Sequence, residues 1–181
     1  IIRDGESLVS GHFNIGYWTW ELSKHPVTWM NSLNYFHEIW CPSQFIESAV
    51  SDSSSRPAIY MPPAFDLEEP KEFDRSYFNL LDNRFLFLFV FDFKSSFYRK
   101  NPLACIQAFQ NAFPNINEGV GLVLKSMDGE KYPEEFKHLN VAVKSDPRIT
   151  IINAIFSSDE VIGLMNICDA FVSLHRSEGI G

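Results

Sequence analysis

The chain has 181 residues, a formal net charge of −8 and a charged fraction of 21%. That balance excludes a general nucleic-acid-binding surface, which needs a cationic face for the phosphates, and a hydrophobic share of 45% is that of a globular chain. The longest strongly apolar run, Phe85 to Phe91, is far too short to span a bilayer, and no signal peptide is visible.

Strands and helices alternate along the chain. His12 to Tyr17 and Glu38 to Cys41 are candidate strands, Val27 to Tyr35 a candidate helix, and Ser43 to Val50 another, with Ser43 as its cap. Ala58 to Met61 reads as a third strand, stopped by Pro62 and Pro63. Residues 63 to 83 are rich in charge and proline, show no clear period, and read as a connector.

From Arg84 the pattern becomes regular. Arg84 to Phe91 is almost wholly apolar, as expected of a strand covered on both faces. Asn101 and Pro102 suit an N-cap and a first turn, and Leu103, Ile106, Phe109 and Phe113 fall near helical spacing up to Pro114. Val120 to Leu124, Arg148 to Ile152 and Ala170 to Leu174 read as strands, separated by a weak helix from Pro133 to Val143 and a better one opened by the capping box Ser157/Glu160. Such alternation predicts βαβ units and an α/β fold of parallel sheets flanked by helices.

In an open parallel sheet ligands bind at the carboxyl ends of the strands, so the polar residues after each strand of this half belong to one rim. Lys94, Ser95, Arg99 and Lys100 follow the first strand, Lys125 ends the second, Ile155 and Phe156 follow the third, and His175, Arg176, Ser177 and Glu178 follow the fourth. Three of the chain's 15 Lys and Arg fall between 94 and 100, ahead of a helix N-terminus that itself favours anions. Together these groups describe a cationic, hydroxyl-rich pocket on an acidic protein, suited to a phosphate-bearing small molecule. Gly179 and Gly181 allow the backbone to approach a ligand closely. The remaining histidines (His12, His25, His37 and His138) show no metal spacing, and the four Trp read chiefly as core. Cys41, Cys105 and Cys168 form no Cys-x-x-Cys pair and read as buried free thiols in a reducing compartment.

The segments Phe13-Asn-Ile-Gly-Tyr-Trp-Thr-Trp-Glu21, Glu38-Ile-Trp-Cys-Pro-Ser43, Phe91-Asp-Phe-Lys-Ser95, Arg99-Lys-Asn-Pro102 and Cys168-Asp-Ala-Phe-Val-Ser-Leu-His-Arg-Ser-Glu-Gly-Ile-Gly181 resemble, in order, those of the family 4 (group 1) glycosyltransferases of GT-B architecture. The last segment is the most specific, and the resemblance covers nearly the whole chain. It implies two Rossmann-like domains facing across a cleft, with residues 1–66 from the rear of the acceptor-side domain, 67–83 as connector and 84–181 from the front of the donor-binding domain. The first residue is Ile and the last lies inside the motif, so the expectation is a fragment of a longer chain, inactive by itself.

The activity implied is retaining transfer of a sugar from a nucleotide-sugar donor to a saccharide or lipid-linked acceptor, in bacterial surface polysaccharide or lipopolysaccharide synthesis. The resemblance places Lys100 on the donor diphosphate, with an arginine-like partner for which Lys94, Ser95 and Arg99 compete. It also makes Glu178 the first glutamate of a catalytic pair, near the transferred sugar. Ile155 and Phe156 would hold the base, Lys125, His175, Ser177 and Gly179 would line the donor pocket, and Glu21 would face the acceptor. No metal and no cofactor are implied. A cytoplasmic setting follows, with peripheral contact at the inner face of the membrane for a lipid-linked acceptor. A non-catalytic sugar-nucleotide-binding domain of the same fold, or another nucleotide-sugar enzyme such as a non-hydrolysing epimerase, stays open on the residues alone.

Overall fold

The computed structural model describes residues 9–65 and 71–180, and these divide into two compact units, 9–65 with 177–180 and 71–176. The first unit holds three parallel strands, β1 (Ile15–Tyr17), β2 (Glu38–Cys41) and β3 (Ala58–Tyr60), side by side in chain order. Parallel neighbours need a crossover. Here the crossovers carry α1 (Met30–Leu33) and α2 (Gln44–Ser51). Ser43 caps α2 as expected, its hydroxyl accepting from the Ile46 amide at 3.3 Å. Leu33, Ile39, Cys41, Ile46 and Val50 form the core.

Two elements of this unit are shorter than their patterns suggest. The strand predicted from His12 begins only at Ile15, because the Asn14 side chain bonds the carbonyls of Val9 and Tyr35 and its amide donates to His37 Nδ1. Polar bonds of this kind compete with a sheet ladder. The helix predicted over 27–35 resolves into a 3₁₀ turn, Val27–Trp29, followed by the single turn of α1.

The second unit is a four-stranded parallel sheet of β4 (Phe85–Val90), β5 (Val120–Ser126), β6 (Ile149–Asn153) and β7 (Ala170–Phe171), in the order β6-β5-β4-β7. Its helices are α3 (Phe97–Lys100), α4 (Pro102–Ala112), α5 (Pro133–Val143) and α6 (Ser158–Ile167). The alternation of side chains along β4 separates two cores. Phe89 and Phe91 meet Leu122 and Leu124 of β5, with Cys105, Ile106 and Phe109 of α4 and Leu139 of α5. Leu86 and Leu88 meet Val123 and Leu164 of α6 on the other face. Each fully buried Phe or Leu contributes about 2 kcal/mol. Phe78 and Leu80 complete the second core, so the part of the patternless connector from 71 to 83 is packed structure. Its apolar residues sit around a 3₁₀ turn, Arg75–Phe78, and follow no regular period. Residues 66–70 lie outside the described residues.

Charged groups fasten this sheet at its amino-terminal side. Arg148 and Asp146 form a buried pair, Arg148 Nε and Nη2 reaching the two carboxylate oxygens at 2.8 and 2.7 Å. Those hydrogen bonds hold the Asp146 carboxyl below the usual carboxylate range. Asp169 accepts from the Leu86 amide at 2.7 Å and from Arg75 Nη2 at 2.8 Å, tying the starts of β4 and β7 together. The three thiols are free; burial pushes each of them up to about 11.

Candidate functional site

Because β4 to β7 all run parallel, their carboxyl ends share one edge of the sheet. The strand order turns between β4 and β7: β4 passes to β5 on one side, while β7 returns to pair with β4 on the other. In open α/β sheets the loops at such a turn leave in opposite directions, and ligands bind in the crevice between them. The loops on either side of this switch are 91–101 and 172–176.

The first loop has a defined shape. Asp92 caps a 3₁₀ turn, Phe93–Ser95, accepting from the Lys94 amide at 2.8 Å. Two residues in the left-handed region then bracket α3, Ser96 at φ 68° and Asn101 at φ 59°. Ser96 caps α3 through the Arg99 amide, and Asn101 ends it. Helix α4 therefore starts at Pro102 with Asn101 ahead of it, as the sequence suggests, yet Asn101 makes no side-chain cap. Its amide group is used elsewhere: Nδ2 donates to the Leu174 carbonyl at 2.9 Å and Oδ1 accepts from Arg176 Nη2 at 3.1 Å. Arg99 and Lys100 ride on the last turn of α3, and Lys94 and Ser95 precede it.

The second loop closes on the first. Val172 extends the β7 ladder to the Leu88 carbonyl, and the His175 ring lies edge-on to Phe89 at 5.2 Å. Arg176 then grips α3. Its amide donates to the Arg99 carbonyl at 2.8 Å, its Nε to the Tyr98 carbonyl at 3.1 Å, and its guanidinium lies 4.4 Å from the centre of the Tyr98 ring. The loop that carries Lys94, Ser95, Arg99 and Lys100 is thus bonded to the loop that carries His175.

Lys125 has a different setting. It is buried, and its Nζ donates to the carbonyls of Ser126 at 3.0 Å and Ala154 at 2.6 Å while lying 4.4 Å from the centre of the Phe156 ring. Desolvation pushes its pKa down, opposed by the charge of Glu160. The role visible for this lysine is to pin the β6–α6 loop. In that loop Phe156 packs on Phe78 at 5.5 Å, leaving Ile155 as its outward residue, 78% exposed. The predicted capping box is complete: Ser157 Oγ accepts from the Glu160 amide, and Glu160 Oε2 accepts from the Ser157 amide at 2.8 Å.

Glu21, Ser177, Glu178 and Gly179 belong to the first unit. Ser177 Oγ donates to the Glu21 carbonyl, and Ser43 Oγ donates to the Gly179 carbonyl at 2.5 Å. A side chain at position 179 would run into the Trp20 carbonyl oxygen and the Ile46 side chain, so glycine here permits a close backbone approach within the protein. Glu178 is half-buried between them in sequence. Beside this segment His25 is buried among Trp18 and Trp20, with ring centres 6.0 and 5.5 Å away, and desolvation lowers its pKa. Among the described residues no three His, Cys, Asp or Glu side chains are grouped to hold a metal ion, and no helix is long and apolar enough to cross a membrane.

The sequence places Arg176 on the rim without a role and reads Asn101 only as a helix cap. The only signal for either was position, one at a strand tip and the other before a proline; the bonds between them join residues 75 apart in the chain.

No family model matches the chain, and no curated protein matches its sequence. Solved structures do match its fold. A UDP-forming α,α-trehalose-phosphate synthase from Burkholderia xenovorans superposes with a TM-score of 0.68 at 13% identity, over 97% of this chain and 50% of that one. The fold is GT-B-type. Anabaena Alr3699/HepE in complex with UDP and glucose gives a TM-score of 0.63 at 15% identity, over 93% of this chain and 48% of that one. A trehalose-6-phosphate synthase solved with bisubstrate glycomimetics to study glycosyltransfer with retention gives 0.60 at 11% identity, over 85% of this chain and 43% of that one. The chain thus spans about half the length of these structures.

Proposed function

We propose that this chain is part of a glycosyltransferase of family 4 type. It would transfer a sugar, with retention, from a nucleotide-sugar donor to a saccharide or lipid-linked acceptor. The observation behind the reading is the turn in strand order between β4 and β7, beside which the loop that carries Lys94, Ser95, Arg99 and Lys100 is bonded to the loop that carries His175. Structural neighbours that carry UDP, glucose or glycomimetics on the same fold support it. In this proposal the cations take up the charge that develops on the diphosphate as its bond to the sugar breaks. Lys100 is the principal contact, with Arg99, Lys94 and Ser95 around it. Ile155 and Phe156 form the base cradle, which Lys125 holds in place. Glu178 acts on the transferred sugar, with Ser177 and Gly179 shaping its turn and Glu21 on the acceptor side. The process served is bacterial surface polysaccharide or lipopolysaccharide synthesis, in the cytoplasm or at the inner face of the membrane.

Calorimetry with uridine diphosphate on the full-length protein tests this. Lys100→Ala is expected to weaken binding by about tenfold or more, the scale of one charge-assisted contact. Glu178→Ala is expected to abolish transfer while keeping nucleotide binding. Unchanged affinity and turnover in both variants would remove the assignment.

A further inference from the structure

We infer that Arg176 and Asn101 are positioning residues for the diphosphate, acting as a clamp that fixes the α3 turn on which Arg99 and Lys100 are carried. The inference rests on the reading of that turn as the diphosphate site and adds what holds it in place.

A four-residue helix has too few hydrogen bonds to persist alone, since nucleation of a single turn is unfavourable. Here α3 is also bounded by two non-glycine residues with positive φ, a conformation that costs energy and persists only where surrounding contacts impose it. At Asn101 and along α3 those contacts come from the loop after β7. Arg176 reaches the Tyr98 carbonyl through Nε and Asn101 Oδ1 through Nη2, both at 3.1 Å, while its amide takes the Arg99 carbonyl at 2.8 Å. Asn101 returns a bond to the Leu174 carbonyl at 2.9 Å. The guanidinium covers the Tyr98 ring at 4.4 Å. On the α3 side these contacts fall at Tyr98, Arg99 and Asn101, which flank the two cations or carry one of them. A planar fork that satisfies two acceptors at once is a property of arginine that lysine lacks.

The test compares uridine diphosphate with uridine, which lacks the phosphates, by calorimetry on the full-length protein, alongside thermal unfolding. Arg176→Gln and Asn101→Gly are each expected to lower affinity for the diphosphate about tenfold and to leave uridine affinity unchanged. Glycine at 101 keeps the left-handed backbone available, so that variant folds and isolates the lost side chain. The double variant is expected to lose less than the product of the single losses, because both break one shared bond. Arg176→Lys is expected to behave like Arg176→Gln.

Full affinity in Arg176→Lys would show that charge alone matters and would overturn the clamp. Equal loss for uridine and the diphosphate, or additive losses in the double variant, would overturn it too. If Lys100→Ala weakens the diphosphate and Arg176→Gln does not, only this inference falls. If neither variant changes affinity, the reading of the site falls with it.

Discussion

Lys100 and Lys125 leave adjacent strands at the same edge of one sheet, yet they occupy different physical settings. Lys125 is the sixth residue of β5, and its ammonium is enclosed by two carbonyls and an aromatic face. Lys100 comes ten residues after β4, on a short helix bracketed by left-handed residues. A cation still inside the ladder is absorbed by the neighbouring loop, whereas one displaced by a turn is presented on a separate element. Position at a strand tip therefore nominates a residue without deciding its task.

The largest effect that would sharpen this contrast is on stability. Lys125→Met is expected to cost about 1–3 kcal/mol in denaturant unfolding, because the half-buried Ala154 carbonyl loses the Lys125 donor and the Ser126 carbonyl keeps only the Ala154 amide. Its losses for uridine and uridine diphosphate should be parallel, unlike those of Lys100→Ala. A Lys125 variant of native stability with a selective loss of diphosphate affinity would break the contrast and make Lys125 a phosphate ligand.

A smaller effect lies in pH. Burial lowers the Lys125 pKa below its ordinary value of 10.5, so the unfolded chain binds more protons between the two values. Stability should therefore rise with pH across that window. The rise should vanish in Lys125→Met when unfolding free energy is followed up to about pH 10.5. A slope that survives the substitution would assign the titration to another group.

The smallest effect concerns Ile155. Its exposure predicts that Ile155→Ala changes stability by no more than about 0.5 kcal/mol, while uridine affinity falls a few-fold if this side chain rests on the base. Unchanged uridine affinity would return Ile155 to the solvent.

The elements most legible in the sequence are those whose signals are local. The apolar run Phe85 to Phe91, the Ser157/Glu160 box and the Ser43 cap needed no distant partner to be read. Legibility fails where the partner is remote. Phe78 and Leu80 lie in a stretch without period and find their place only under Leu86 and Leu88. The strand predicted to reach Leu174 stops at Phe171 in its regular part, because the residues beyond it turn to Asn101 and α3.

The amino-acid order alone determined the alternation of strands and helices, the parallel sheet that follows from it, and the list of cations and hydroxyls near its edge. Hydrophobic period, caps and breakers act over a few residues, and that range suffices for those features. Only the folded chain decided the strand order β6-β5-β4-β7, the burial of Lys125 and the grip of Arg176 on α3. Each depends on contacts between segments tens of residues apart, whose energies arise only once the intervening chain has packed.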